Sequence, residues 1–251
     1  MSRDNPSQRG GLAARTALSA MSRPDIPPPQ ELDLAFASLR RLAFAVVFST
    51  AALAASVGVA ATAAPEPDRT VDMAASLKPG TLPELMVGDP SGVPVIEYGS
   101  LTCPHCAAFS REVLPELKKD YIDTGKVRYI FREFSRNPLD VAAFVLARCV
   151  GDDKAYAAIE LLFSQQDKWA FVDKPLEPLI AAMRATGLSH DQAMACLKDQ
   201  PKADAVVAIG KRASDEIKMN GTPTFVIDGK VYGGELSMDQ LRAILDPLVK
   251  K

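Results

Sequence analysis

Cys103-Pro104-His105-Cys106 is the group of residues in this sequence best equipped for chemistry. Two thiols at this spacing can close a small disulfide ring and reopen it by thiolate attack. Their surroundings put them where a strand turns into a helix. Val93–Tyr98 (VPVIEY) is a short apolar, β-branched run behind the turn signal Gly88–Gly92 and reads as a buried strand. Ala107–Tyr121 then carries apolar residues at 109, 113, 114, 117 and 121, a helical stripe. Pro104 falls in the first turn, where its missing N–H costs little. The first sulfur of such a pair faces free N–H groups and the positive end of the helix dipole, which favour thiolate over thiol. His105 can add a positive charge or a donor beside it. Cys106, one turn along, can attack a mixed disulfide on Cys103 and release the product.

Competing readings of these residues differ in their requirements. A structural zinc needs four ligands, and the remaining candidates Cys149, Cys196 and His190 stand isolated, so no metal is expected. An inert structural disulfide across so short a loop constrains little of the unfolded chain. Glu97 interrupts the apolar strand six residues before Cys103. It either points inward beneath the cysteines, where burial raises its pKa and it relays a proton to Cys106, or faces outward on a half-exposed strand. Thr222-Pro223 precedes a strand. A cis bond there would expose Thr222 backbone groups to an extended peptide, and a trans bond would simply close a loop. Cys149 and Cys196, 47 residues apart, are either bonded to each other or two buried thiols. His190 reads as an exposed first-turn residue and Lys118-Lys119 as a solvated face.

The rest of the chain supplies the frame. It has 251 residues, a net charge of −2 and a mean hydropathy of +0.02, the composition of a globular protein rather than a disordered or multi-span one. No basic field invites nucleic acid. Arg40-Arg41 precede Leu42–Ala64, which carry no charge, and Ala61-Thr62-Ala63 offers a small-residue cleavage site. Residues 1–63 therefore read as a secretory signal with a long basic region, Met21 being an alternative start; the competing reading is a retained membrane anchor. Either way the remainder is exported, into a compartment where disulfides persist. Residues 64–84 are expected as a mobile lead-in.

After a second strand at Val127–Phe131, helices are expected from Asn137-Pro138 to Gly151, then at 153–164, 175–186, 189–199 and 202–218. Ser189-x-x-Gln192 is a capping box for the fourth of these. Asp228-Gly229 marks a hairpin between Thr224–Ile227 and Lys230–Tyr232, and Ser237-x-x-Gln240 caps a last helix.

These residues resemble those of DsbA-type thiol:disulfide oxidoreductases, which have a thioredoxin fold. The shared marks are CPHC at 103–106, the acid at Glu97 and GTPTF at 221–225, together with EYGSLTCPHCAAF and the stretch from RNPLD to Arg148-Cys149. The resemblance covers about residues 82–250. It implies an α/β thioredoxin fold over 85–250 with a helical domain inserted at about 137–218. Cys103 would be the attacking and attacked sulfur, Cys106 the resolving one, and His105 the group that stabilises the reduced thiolate. Pro223 would be cis, with Thr222 beside it contacting substrate backbone, and Cys149–Cys196 a non-catalytic disulfide. Reduced exported proteins would be the substrates and a DsbB-type quinone-linked membrane oxidase the reoxidant. No cofactor is implied, and the short lead-in suggests a periplasmic monomer. Thr222 departs from the family's strong oxidases that have Val there, which leaves oxidase, isomerase or reductase open. A redox-silent binding module is the reading from another class.

Overall fold

The strand that leads into Cys103 is β3 (Val93–Gly99), and it lies in the middle of a six-stranded sheet ordered β1-β6-β5-β3-β4-β2. This is a computed structural model, which describes residues 63–250. The segment expected as an export signal or anchor lies, but for Ala63, outside the described residues. β3 runs parallel to β4 (Val127–Glu133) in a register that sets Glu97 opposite Phe131. β5 (Thr224–Ile227) is antiparallel on the other side of β3 and sets Phe225 opposite Glu97. β6 (Lys230–Gly233) returns from β5 through Asp228-Gly229. Both turn residues have positive φ, as a two-residue hairpin of this hand requires. β2 (Leu85–Gly88) lies antiparallel on the outer edge of β4, and β1 (Arg69–Thr70) on the outer edge of β6.

The strand period of two sends side chains to two apolar layers. Val95, Tyr129, Phe131 and Phe225 pack towards the cysteines. Ile96, Tyr98, Ile130 and Val226 pack on the opposite face. The crossover from β3 to β4 is one helical run over 104–122, made of α2 (Pro104–Ala108), a π-turn at Phe109–Val113, α3 (Leu114–Leu117) and a second π-turn at Lys118–Ile122. The sequence stripe predicts a regular helix here. Pro115 accounts for the first widening: it has no N–H, and its ring crowds the carbonyl of Arg111, so the Leu114 N–H reaches back to Phe109 O instead.

Between β4 and β5 comes an all-helical insertion: α4 (Pro138–Arg148), α5 (Asp152–Ser164), α6 (Gln166–Trp169), α7 (Leu176–Met183), α8 (His190–Cys196) and α9 (Gln200–Ile217). α10 (Met238–Val249) follows the hairpin. This is the α/β thioredoxin fold with an inserted helical domain. The Asn137 side chain caps α4 through the Asp140 N–H, and the Ser189/Gln192 and Ser237/Gln240 boxes close reciprocally. The single-turn α6 has no sequence signal of its own.

The lead-in expected over 64–84 to be mobile is a built part of the fold. Besides β1 it contains α1 (Met73–Ser76). Its own Arg69 Nη1 donates to Ile217 O of α9 at 2.7 Å, and arginines from distant elements bind its carbonyls: Arg132 Nη1 donates to Ser76 O at 2.6 Å, Arg148 Nη1 to Pro83 O at 2.7 Å and Arg212 Nη1 to Lys78 O at 2.7 Å. The segment is thus held by polar bonds whose partners lie far away in sequence, together with Val71, Met73, Leu77 and Leu82, which pack against the two apolar layers.

Candidate active site

Cys103 is the N-cap of α2, with extended backbone (φ −91°, ψ 119°), and Pro104 opens the helix. Both cysteines are free, so the site is a dithiol. Cys103 is covered but shallow, whereas Cys106 is fully buried one turn further in. The Cys103 thiol donates to Thr222 O at 3.2 Å, and the Ser100 N–H points at Cys106 Sγ at 3.5 Å. The Thr222–Pro223 bond is cis. The sequence motifs at 103–106 and 221–223, 119 residues apart, therefore meet at one sulfur.

The two thiols are driven in opposite directions. Cys103 is lowered to about 5, chiefly by the hydrogen bond from the Cys106 thiol, against the opposing pull of burial; Thr222, the Cys106 N–H and the positive Arg136 add to the lowering. Thr222 Oγ1 is buried and has no hydrogen-bond partner beside the neutral thiol, so it is free to donate to a thiolate. Burial first, then the bond to Cys103, push Cys106 well up. Glu97 is 1% exposed and inward-facing, and burial raises its carboxyl to about 8 even though the Tyr129 hydroxyl donates to it. Its charge in turn raises Cys106, which puts the acid within electrostatic reach of the deeper sulfur. Gly99 lies between them in the chain, and a Cβ there would come within 2.5 Å of the Phe131 ring and 3.0 Å of Glu97 Oε1.

The His105 side chain is 72% exposed, and Nδ1 lies 3.0 Å from Glu235 Oε1. The positive Arg136 also acts on Cys103, as the smallest of the contributions that lower it. Sequence reasoning missed a group around this arginine. The buried Asp140 carboxylate accepts from Ser100 Oγ (2.9 and 3.0 Å), Thr102 N–H (2.8 Å), Thr102 Oγ1 (3.1 Å) and Arg136 N–H (2.9 Å). Arg136 donates through Nε to Ser100 Oγ at 3.1 Å and through Nη2 to Thr102 O at 3.1 Å. Gln166 Nε2, from α6, donates to the carbonyls of Leu101 (2.7 Å) and Cys103 (3.0 Å). The only sequence signal for Asp140 is that of an acid in the first turn of a capped helix, which by itself says nothing of a partner 40 residues earlier.

Cys149 at the end of α4 and Cys196 at the end of α8 are disulfide-bonded, with Cα atoms 6.3 Å apart. His190 stands at the start of α8, half exposed, with Nε2 3.4 Å from Glu177. Among the described residues no cluster of three or more His, Cys, Asp or Glu is arranged to hold a metal ion, and no helix is long and apolar enough to cross a membrane.

Fold and site together define a thioredoxin-fold protein with a redox-poised dithiol. Residues 81–247 match the family model described as Thioredoxin, which is more than half of the chain, and the chain belongs to that family. Within it the chain is DsbA-like. It is similar to Wolbachia pipientis alpha-DsbA1, with 29% identity and a TM-score of 0.64, covering 70% of this chain and 95% of that one. A provisionally named protein-disulfide oxidoreductase of Rickettsia felis is 36% identical over 162 residues, 64% of this chain and 58% of that protein. The chain thus spans under two thirds of the length of the Rickettsia relatives it matches. Disulfide bond formation protein D of Bacillus subtilis is 25% identical over 177 residues.

Proposed function

We propose that this protein is a periplasmic thiol:disulfide oxidoreductase that donates the Cys103–Cys106 disulfide to exported proteins as they fold. The observation that carries the proposal is the contrast between the two sulfurs, Cys103 lowered to about 5 and Cys106 pushed well up beside a protonated acid. A substrate thiolate attacks Cys103 Sγ of the disulfide, and the Cys103–Cys106 bond breaks. Cys106 leaves and takes a proton, for which Glu97, neutral below about pH 8, is the nearby source. A second substrate thiolate then attacks the substrate sulfur of the mixed disulfide, and Cys103 leaves as a thiolate. Two substrate thiols become a disulfide, and the enzyme holds the two electrons as its dithiol. A low pKa makes Cys103 the better leaving group and favours the reduced enzyme, so the exchange runs towards substrate oxidation.

Two further features support the reading. Thr222 and the cis peptide flank the reactive sulfur, where an extended substrate segment can pair with backbone. Phe171, Val172 and Leu176 expose apolar side chains just beyond α6, the helix whose Gln166 holds the Cys103 carbonyl. Such a surface suits incompletely folded chains. Reoxidation would fall to a DsbB-type quinone-linked membrane oxidase, and the protein would work as a monomer. The test is the equilibrium of the purified protein with a glutathione redox buffer. A potential near about −120 mV is expected; one near about −270 mV would overturn the oxidase reading in favour of a reductase or isomerase.

A further inference from the structure

The inserted helical unit does more than cover the sheet. Its first residues, Arg136 to Asp140, reach across to the three residues that deliver the chain from β3 into the cysteine helix. Ser100 and Thr102 are both buried, and every bond that fixes their side chains leads to Arg136, Asn137 or Asp140, apart from a 3.4 Å contact between the two hydroxyls. Ser100 is also the residue whose N–H faces Cys106, and Thr102 directly precedes Cys103. A carboxylate that is 0% exposed and receives donors from three residues is held in one position, and it holds those residues in turn.

We propose that Asp140 is a positioning residue for the disulfide exchange: through Ser100 and Thr102 it fixes the entry to Cys103, and through the Arg136 backbone it seats that guanidinium on the Thr102 carbonyl, directly before the reactive cysteine. The proposal rests on Cys103 being the reacting thiol, but not on the direction of exchange.

The charged and titratable groups around Cys103 are Glu97 from β3, His105 and Cys106 from α2, Arg136 and Asp140 from the head of the insertion, and Glu235 beyond the hairpin. Asp140 is an anion, so by charge alone its removal would favour the Cys103 thiolate. By losing the clamp, its removal would instead disfavour it. The two accounts predict opposite signs, which makes the test decisive.

The experiment follows the pH midpoint of thiolate ultraviolet absorbance in the reduced full chain, a readout that does not depend on turnover. Arg136 is exposed, so Arg136→Gln should still fold, although it loses the bonds to Ser100 Oγ and Thr102 O. It is expected to raise the midpoint, with about threefold less thiolate at a fixed pH below it. Asp140→Ala is expected to raise the midpoint as well, and adding Arg136→Gln to it is expected to change nothing more, because the guanidinium has already lost its seat. A lowered midpoint in Asp140→Ala, or shifts that simply add, would overturn the proposal. Should Asp140→Ala fail to fold, Ser100→Ala removes the hydroxyl shared by Arg136 and Asp140 and must also raise the midpoint; an unmoved or lowered value there overturns it equally. The oxidase reading fails on the glutathione potential and this inference on the midpoint, so the two failures are separable.

Discussion

Cys103 and Glu97 hold opposite protonation states at neutral pH, and the cause in each case is position. Cys103 is at a helix N-terminus, receives the Cys106 thiol proton and feels Arg136, so its thiolate persists down to about pH 5. Alkylation of the reduced protein by iodoacetamide should therefore hold a constant rate above about pH 6 and fall about tenfold per pH unit below 5; a midpoint near 8 to 9 would mean an ordinary thiol. Cys103→Ala should abolish both this fast alkylation and disulfide formation in a reduced substrate. Glu97 is the reverse case, an acid held neutral by burial up to about pH 8. In an unfolded chain it ionises near 4.5, so as pH rises the unfolded state loses this proton first. The fold consequently loses stability between about pH 4.5 and 8, and the loss is complete above that. Glu97→Gln keeps an acceptor for the Tyr129 hydroxyl and removes the ionisation. It should match the parent at pH 4 and be more stable at pH 9, by at most about 5 kcal/mol, in calorimetric melting. Coincident melting curves at pH 9 would show that burial does not hold the carboxyl up.

Elements that depend on their own residues were legible in the sequence, and those that depend on distant partners were not. Val93–Gly99, the Asp228-Gly229 hairpin and both Ser-x-x-Gln boxes carry their signals within a few residues. The edge strand β2, the single turn α6 and the pinned lead-in owe their order to contacts from elsewhere: β4 for the first, loop carbonyls for Gln166, and Arg132, Arg148 and Arg212 for the last. The same division runs through the site. The Cys103–Cys106 spacing and the acid at Glu97 could be read directly, but the 130-residue contact that takes His105 to Glu235, and the Asp140 clamp, could not. The lead-in gives a direct test. Arg132→Ala removes bonds to Ser76 O, Tyr98 and Glu84 and should cost about 2 to 3 kcal/mol, with faster amide exchange confined largely to residues 74–84. The Cys149–Cys196 bond acts on another element pair, tying α4 to α8 across 47 residues of chain. Replacing both with Ser should lower stability by up to about 4 kcal/mol and leave the Cys103–Cys106 potential unchanged, since the bond touches neither thiol.

For the whole molecule, redox state and folding stability are linked in one thermodynamic cycle. Whatever stabilises the folded dithiol over the unfolded dithiol, without acting on the disulfide form, equally favours reduction of the folded protein over reduction of an unfolded chain. The lowered Cys103 supplies such a contribution. Its folded value is about 5 against 9.0 for an ordinary thiol, so the stabilisation is fully present above about pH 9, declines as pH falls through that window and is gone below 5. Cys106 is pushed above the ordinary thiol value and stays protonated throughout, and the disulfide form has neither thiol to titrate. Opposing this is the loop entropy of the closed Cys103–Cys106 ring, about 2 kcal/mol in favour of the oxidised form, which does not vary with pH. The difference in melting temperature between reduced and oxidised protein should therefore rise steadily in favour of the reduced form from pH 5 to pH 8 and level off below 5. Paired thermal scans across that range measure it directly. A difference that stays flat over the window would mean that the thiolate adds nothing to the fold, and the physical basis for an oxidising disulfide at Cys103 would be lost with it.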